Sequence, residues 1–182
     1  AEGEAAFYGP KLDVQIKTAI GHDITVSTCQ SDFLLPERFE LEYVDKDGKK
    51  QRPVVIHRAI LGSSDRFIAF LTEETKGAFP LWLSPMQVKI LPISDNEIEY
   101  SNSLMEKLAS KGYRVSVDSS SEKIGYKIRE AQLSKVPYML VIGKNEANDG
   151  TISVRSREGK KIDGISLDEF ITLLDDRMKS KE

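Results

Sequence analysis

Two hydrophobic periods divide the chain. Leu12, Val14 and Ile16 alternate with Asp13, Gln15 and Lys17, and Ile24, Val26 and Thr28 resume the pattern after a turn at Gly21-His22-Asp23. A period of two is that of a strand, so these segments predict an antiparallel hairpin. Leu41-Glu42-Tyr43-Val44, the polar Asp45-Lys46-Asp47-Gly48 and a return through Pro53 to His57 predict a second one. Beyond Gly62 the period lengthens. Phe67, Ile68, Phe70 and Leu71 fall at helical spacing, behind the oxygen acceptors Ser63-Ser64-Asp65 that start a helix. That helix is expected to run to about Glu74 and to stop at Gly77, with Phe79-Pro80 beyond.

Leu81-Trp82-Leu83-Ser84-Pro85 reads as a junction, giving expected domains 1–84 and 85–182. After it strands and helices alternate. Gln87–Leu91, Tyr113–Val117, Pro137–Ile142 and Thr151–Arg155 are strand segments. Asn96–Ser110, Glu122–Ser134 (with Ser121 as cap) and a segment capped by Ser166 are helical, the last with Leu167, Phe170, Ile171 and Leu174 on one face. This alternation predicts a compact α/β domain with a mostly parallel sheet.

Composition narrows the function classes. The 182 residues are 40% hydrophobic and 30% charged, ordinary for a globular protein. No run of about 18 apolar residues is present, so no membrane span is expected. Ala1-Glu2-Gly3-Glu4 has no signal-peptide character and no initiating Met, which reads as a piece of a longer chain. One cysteine, Cys29, excludes an internal disulfide and fits a reducing cytosol. Residues 107–160 hold 11 basic and 6 acidic side chains, a local excess of five positive charges that suits phosphates, although a solvated mixed-charge surface reads the same way.

The most informative stretch is His57-Arg58-Ala59-Ile60-Leu61-Gly62-Ser63-Ser64-Asp65-Arg66-Phe67. Val54-Val55-Ile56 carries a histidine out of a strand, and Arg66 falls in the first turn of the following helix. A cation there opposes the helix dipole. A charge set against local preference marks function more often than chance. Next to free backbone N–H groups, a guanidinium suits a polyanion such as a nucleoside triphosphate.

Six segments then carry a resemblance. They are Ala6-Phe7-Tyr8-Gly9-Pro10-Lys11; Gln30-Ser31-Asp32-Phe33 with Leu35-Pro36-Glu37-Arg38-Phe39; Arg52-Pro53-Val54 running into His57-Arg58-Ala59-Ile60-Leu61-Gly62; Phe79-Pro80-Leu81-Trp82-Leu83-Ser84-Pro85; Glu122-Lys123-Ile124-Gly125-Tyr126-Lys127-Ile128-Arg129-Glu130-Ala131; and Val136-Pro137-Tyr138. In this order they resemble the C-terminal part of the bacterial-type threonyl-tRNA synthetase family, within the class II aminoacyl-tRNA synthetases.

The resemblance implies an α/β (overall α+β) chain. Residues 1–84 would be an antiparallel sheet remnant of the catalytic domain, and 85–182 a five-stranded, mixed to mostly parallel anticodon-binding domain. It implies a cytoplasmic, homodimeric ligase with threonine, ATP with Mg²⁺, and tRNA(Thr) as substrates. Arg66 would be the catalytic arginine on the γ-phosphate side of ATP, with Thr28, Gly62 and Ser63 along the nucleotide. Tyr8, Gln30 and Lys11 would meet threonine. His57 would be one ligand of a catalytic zinc whose cysteine and second histidine match nothing in this chain. Arg129, Glu146 and Arg155 would contact the anticodon, and Lys123, Lys127 and Lys135 the tRNA backbone. Thr25 stands where members commonly carry a glutamine that reaches the adenosine. Motifs 1 and 2 match no part of the chain, so the fragment alone is expected to be inactive. The alternative is a non-catalytic tRNA- or nucleic-acid-binding module with a remnant active site.

Overall fold

The computed structural model describes residue 3 and residues 5–181, so Ala1, Glu2 and Glu4 of the acidic N-terminus lie outside the described residues. The chain forms two compact units, residues 1–74 and 75–182.

The first unit is built on three antiparallel strands, β1 (Lys11–Lys17), β2 (Asp23–Asp32) and β5 (Val55–Ala59), in the order β1-β2-β5. The alternation made this hairpin legible. Its register places Lys11 opposite Gln30 and Asp13 opposite Thr28, with a bulge at Val14/Gln15. On the other side of β2, Gln30 lies opposite His57 and Thr28 opposite Ala59. Residues opposite each other point to one face, so Lys11, Asp13, Thr28, Gln30 and His57 form a polar row across the sheet. A short helix α1 (Leu34–Arg38) follows β2. A two-residue ribbon of β3 (Tyr43–Val44) and β4 (Lys50–Gln51) comes next, its turn tied by Asp45 Oδ1 accepting from the Asp47 and Lys49 N–H groups. Helix α2 (Ser64–Thr75) closes the unit close to its expected bounds. Among the described residues of this unit only Asp32 and Pro36 are buried. The unit has a sheet but little interior.

The second unit contains the core. A five-stranded sheet runs β10 (Lys161–Ile165), β9 (Ile152–Ser156), β8 (Tyr138–Ile142), β6 (Val88–Pro92), β7 (Val115–Val117). The β6–β7 and β6–β8 pairs are parallel, whereas β8–β9 and β9–β10 are antiparallel, so the sheet is mixed. Helices α3 (Ile98–Ser110) and α6 (Leu167–Ser180) cover one face, where Leu104, Leu108, Phe170 and Leu174 pack on Val88, Ile90, Leu140, Ile142, Ile152 and Val154. Helix α4 (Ile124–Leu133) lies on the other face over a smaller cluster of Leu91, Ala131, Val136 and Met139. A further short helix, α5 (Lys144–Asp149), links β8 to β9. The Ser166 cap forms as expected, with Ser166 Oγ accepting from Glu169 N–H and the Glu169 carboxylate accepting from Ser166 N–H. Ser121 does not cap α4, whose flanking residue is Lys123.

Residues 75–84 pack with the second unit, ten positions before the junction read from the Pro-flanked segment. Three side chains hold this stretch by its carbonyls. Gln87 Nε2 donates to Leu81 O at 2.9 Å, Arg114 Nε and Nη2 donate to Ser84 O and Trp82 O at 2.8 and 2.9 Å, and Arg157 Nη1 donates to Phe79 O at 3.0 Å. Leu81, 4% exposed, enters the core. The segment therefore reads as loop in composition and as domain in packing.

Candidate functional site

In the first unit a cavity of about 400 Å³ opens at the end of the polar row, lined by Phe7, Tyr8, Gln30, Asp32, Leu34, Leu35, Arg38 and His57. Two strands, one loop and helix α1 build it, the helix supplying Leu34, Leu35 and Arg38. Gln30 and Asp32 are two apart on β2 and so share a face, and β5 sets His57 opposite Gln30. The loop before β1 lies against the end of β2 through Phe33 N–H to Tyr8 O (3.1 Å) and Ser31 N–H to Pro10 O (3.0 Å). Gly9 makes that approach possible. A Cβ at this position would sit 2.2 Å from Ser31 O.

Within the cavity Tyr8 Oη donates to Gln30 Oε1 at 2.6 Å, leaving the Gln30 amide NH₂ as a donor. The His57 Nε2 is 2.9 Å from Asp32 Oδ2, and the His57 side chain is 43% exposed while that of Asp32 is 3% exposed. The other Asp32 oxygen, Oδ1, accepts from the Leu34 and Leu35 N–H groups at 2.9 and 3.0 Å, tying the start of α1 to the site. Burial pushes the Asp32 carboxyl up. The Leu35 N–H, the His57 ring and the Leu34 N–H outweigh it, and the group is held below its ordinary value.

Sequence reasoning had selected Tyr8, Gln30 and His57, and they meet here. It missed Asp32 and Arg38. The only available signal was an acidic residue two positions from Gln30 and just ahead of a helix start.

Lys11 and Thr28 stand in the same row but outside the cavity lining. Lys11 Nζ pairs with Asp13 Oδ2 at 2.7 Å, and Thr28 Oγ1 donates to Asp13 Oδ1 at 2.6 Å. The Lys11 and Thr28 hydrogen bonds hold the Asp13 carboxyl below its ordinary range. Gly62 adopts φ +65° at the turn into α2, and Ser63 Oγ accepts weakly from Arg66 N–H at 3.4 Å. Arg66 is exposed in the first turn of α2. None of these three lines the cavity. The imidazole of His57 is the single soft donor there, and no group of three His, Cys, Asp or Glu side chains able to hold a metal occurs among the described residues.

In the second unit Arg155 sits on β9 opposite Met139, on the sheet face that carries α4. Ser153 shares that face, and its hydroxyl donates to Glu146 Oε1 at 2.7 Å while Glu146 Oε2 accepts from Gly143 N–H at 2.9 Å. The Ser153 bond is the main reason the Glu146 carboxyl lies below its ordinary value. Arg129 and Lys123 are exposed on and beside α4, and Lys135 is exposed in a left-handed turn with φ +57°. Lys127 differs from the expectation of a tRNA-backbone contact. It is 3% exposed, and its ammonium donates to Pro92 O and Asp118 O at 3.1 Å each. Helix α4 turns this side chain into the sheet, where it satisfies carbonyls at the ends of β6 and β7. No helix of the described residues is long and apolar enough to cross a membrane.

Comparison with known proteins fits both units. A family described as "Anticodon binding domain" matches residues 87–177, and one described as "tRNA synthetase class II core domain (G, H, P, S and T)" matches residues 2–75. The chain is 55% identical to a threonine–tRNA ligase of Geobacillus kaustophilus, over 100% of this chain and 28% of that protein. It is 58% identical to threonine–tRNA ligase 1 of Bacillus subtilis, over 94% of this chain and 27% of that protein. It thus spans little more than a quarter of the length of these relatives. Among solved structures, the RNA binding domain of threonyl-tRNA synthetase from Cryptosporidium parvum superposes with a TM-score of 0.86 at 43% identity, over 96% of this chain and 44% of that one. A putative threonyl-tRNA synthetase from Aeropyrum pernix gives 0.73 at 29% identity, over 100% of this chain and 44% of that one.

Proposed function

The chain belongs to the class II aminoacyl-tRNA synthetases, with part of their core domain and an anticodon-binding domain, and from that premise we propose that it is the C-terminal part of a threonine–tRNA ligase. The full-length protein activates threonine with ATP to threonyl-adenylate and transfers it to tRNA(Thr), working as a homodimer in the cytoplasm. The observation that carries the reading is the cavity in which Tyr8, Gln30 and His57 converge. A non-catalytic RNA-binding module has no use for that set.

In this reading the Tyr8–Gln30 pair orients the amino acid. His57 is one ligand of a zinc ion, the described residues supplying that single ligand and the remaining ones coming from elsewhere in the full-length protein. A zinc ion held there would supply Lewis-acid chemistry, by which a substrate with a second donor group, such as threonine, would be told from its isostere valine. Arg66 binds the γ-phosphate side of ATP, whose Mg²⁺ enters with the nucleotide. A forked, permanent cation is suited to this. Gly62 and Ser63 follow the nucleotide, and Thr28 and Lys11, braced by Asp13, hold the edge of the site. Arg129, Glu146 and Arg155 read unstacked anticodon bases by their edges, with Lys123 and Lys135 on the backbone.

The direct test is pyrophosphate exchange. The full-length protein is expected to exchange label into ATP with threonine and not with valine, and the 182 residues alone to give none. Exchange by the fragment would overturn the assignment of missing groups. Gly9→Ala should push the Tyr8 loop off β2, since its Cβ would meet Ser31 O at 2.2 Å. Threonine-dependent exchange should then lose on the order of 10²-fold in kcat/KM, as expected for misplacement near 1 Å. Arg155→Ala is expected to raise the Kd for tRNA(Thr) by about 10- to 100-fold, the loss of one base-edge contact, with exchange unchanged. Filter binding at fixed salt checks this.

A further inference from the structure

We propose that Lys161, on the edge strand β10, binds an RNA backbone phosphate beside the nucleotide that Arg155 reads, so that the tRNA contact of the second unit extends to the rim of its sheet. This rests on the reading of Arg155 as an anticodon contact.

The register carries the argument. On the sheet face that holds α4, Lys89 of β6 lies beside Met139 of β8, Met139 beside Arg155 of β9, and Arg155 beside Lys161 of β10. The row has a cation at one end and two at the other. Lys89 is answered by Asp118 at 3.3 Å. Arg155 and Lys161 have no ion pair among the described residues. Residues opposite each other on antiparallel strands bring their Cβ atoms to about 4.5–5.5 Å, and like charges so placed destabilise the sheet. The nearest acids do not offset this. Glu158 is engaged with Arg157, and Asp163 falls where the β9–β10 ladder is irregular. The apolar cluster beneath α4 contains no residue of β9 or β10, so the helix does not cover the pair. Arg155 is half-buried and Lys161 exposed. Two cations held side by side at an open sheet edge, at a cost to the fold, suit a polyanion. The two differ in what they can do with one. A guanidinium forks onto a base edge, whereas an ammonium is a point charge that needs only a phosphate oxygen. Base contacts specify and phosphate contacts position, and neighbouring side chains can divide the two tasks over one nucleotide.

The test is tRNA binding by the full-length protein over a range of salt concentrations. Lys161→Ala is expected to weaken binding about 3- to 10-fold and to make the slope of log Kd against log salt shallower by about 0.7, the share of one phosphate on a single strand. The loss should be the same for tRNA(Thr) and for a transcript with its anticodon bases replaced, because a phosphate carries no sequence. Arg155→Ala should lose less on the second transcript than on the first. Lys161→Arg should bind as wild type, and Lys161→Glu more weakly than Lys161→Ala. Stability is the second readout. Lys161→Ala relieves the repulsion and Lys161→Glu turns it into an attraction, so neither variant should melt below wild type. Weaker binding that follows a lowered melting temperature overturns the proposal, because a purely structural role predicts that. A loss confined to the cognate anticodon also overturns it, since Lys161 would then read a base. Wild-type affinity and slope in both Lys161→Ala and Lys161→Glu, with binding lost in Arg155→Ala, overturns the role of Lys161 and leaves Arg155 a contact. Wild-type affinity for tRNA(Thr) in Arg155→Ala removes the underlying reading of this face itself.

Discussion

Arg66→Ala in the full-length protein is expected to reduce threonine-dependent pyrophosphate exchange by about 10²- to 10³-fold, the usual cost of losing one preorganised donor to a developing charge. The affinity for tRNA should not move. Arg66 is exposed in the first turn of α2. The helix dipole there disfavours a cation, so local stability gains nothing from it, and its removal should leave the melting temperature near wild type. Arg66→Lys keeps the charge but loses the fork and should recover part of the rate. An equal fall in tRNA affinity would show that the residue does not act on the nucleotide.

The largest effect on stability is expected at Phe170. It is fully buried and meets Tyr138 edge-to-face, with ring centroids 5.6 Å apart. Phe170→Ala should destabilise the second unit by about 3–5 kcal/mol. A domain of this size has about 5–15 kcal/mol in total, so the variant should lose between about a fifth and all of its stability. Leu133, on α4 and 62% exposed, is the control. Its replacement by Ala should cost less than about 0.5 kcal/mol. Urea unfolding followed by far-ultraviolet circular dichroism separates the two, and comparable losses would mean that the interior is not centred on α6.

Much of this could be read from the residues because the periods are clear. The alternation along Lys11–Lys17 and Asp23–Asp32 announces the hairpin, and the Ser166 cap with Phe170, Ile171 and Leu174 announces α6. Other features depend on tertiary facts that no window of sequence contains. Lys123 and Lys127 are one helical turn apart and look alike. The first stays in an extended backbone before α4 with φ −62° and ψ 142°, and the second is turned beneath the helix onto two carbonyls. Strand β10 was not recognised because Asp163-Gly164 interrupts its pattern, and its ladder with β9 is itself irregular between Ile162 and Ile165. Helix α1 has only five residues and contains Pro36. Asp32 needed the register of β2 against β5, which a residue pattern does not provide. Segment 75–84 packs with the second unit through ties from Gln87, Arg114 and Arg157, as far as 78 positions away, which a local residue pattern does not show.

The bulge at Val14/Gln15 bears on which lengths of chain evolution can change. It lies between the hairpin turn and the polar row, with Val14 paired to Ser27 and Gln15 to Thr25, so that Val26 has no partner in the ladder. A single-codon deletion at Val26 would close the ladder and leave Thr28, Gln30 and Asp32 where they are. The same deletion between Thr28 and Asp32 would exchange the two faces of the strand, bringing Cys29 or Ser31 to the cavity in place of its polar groups. Two deletions a few codons apart in one strand therefore have opposite fates: one is absorbed as a repair, and the other erases the site.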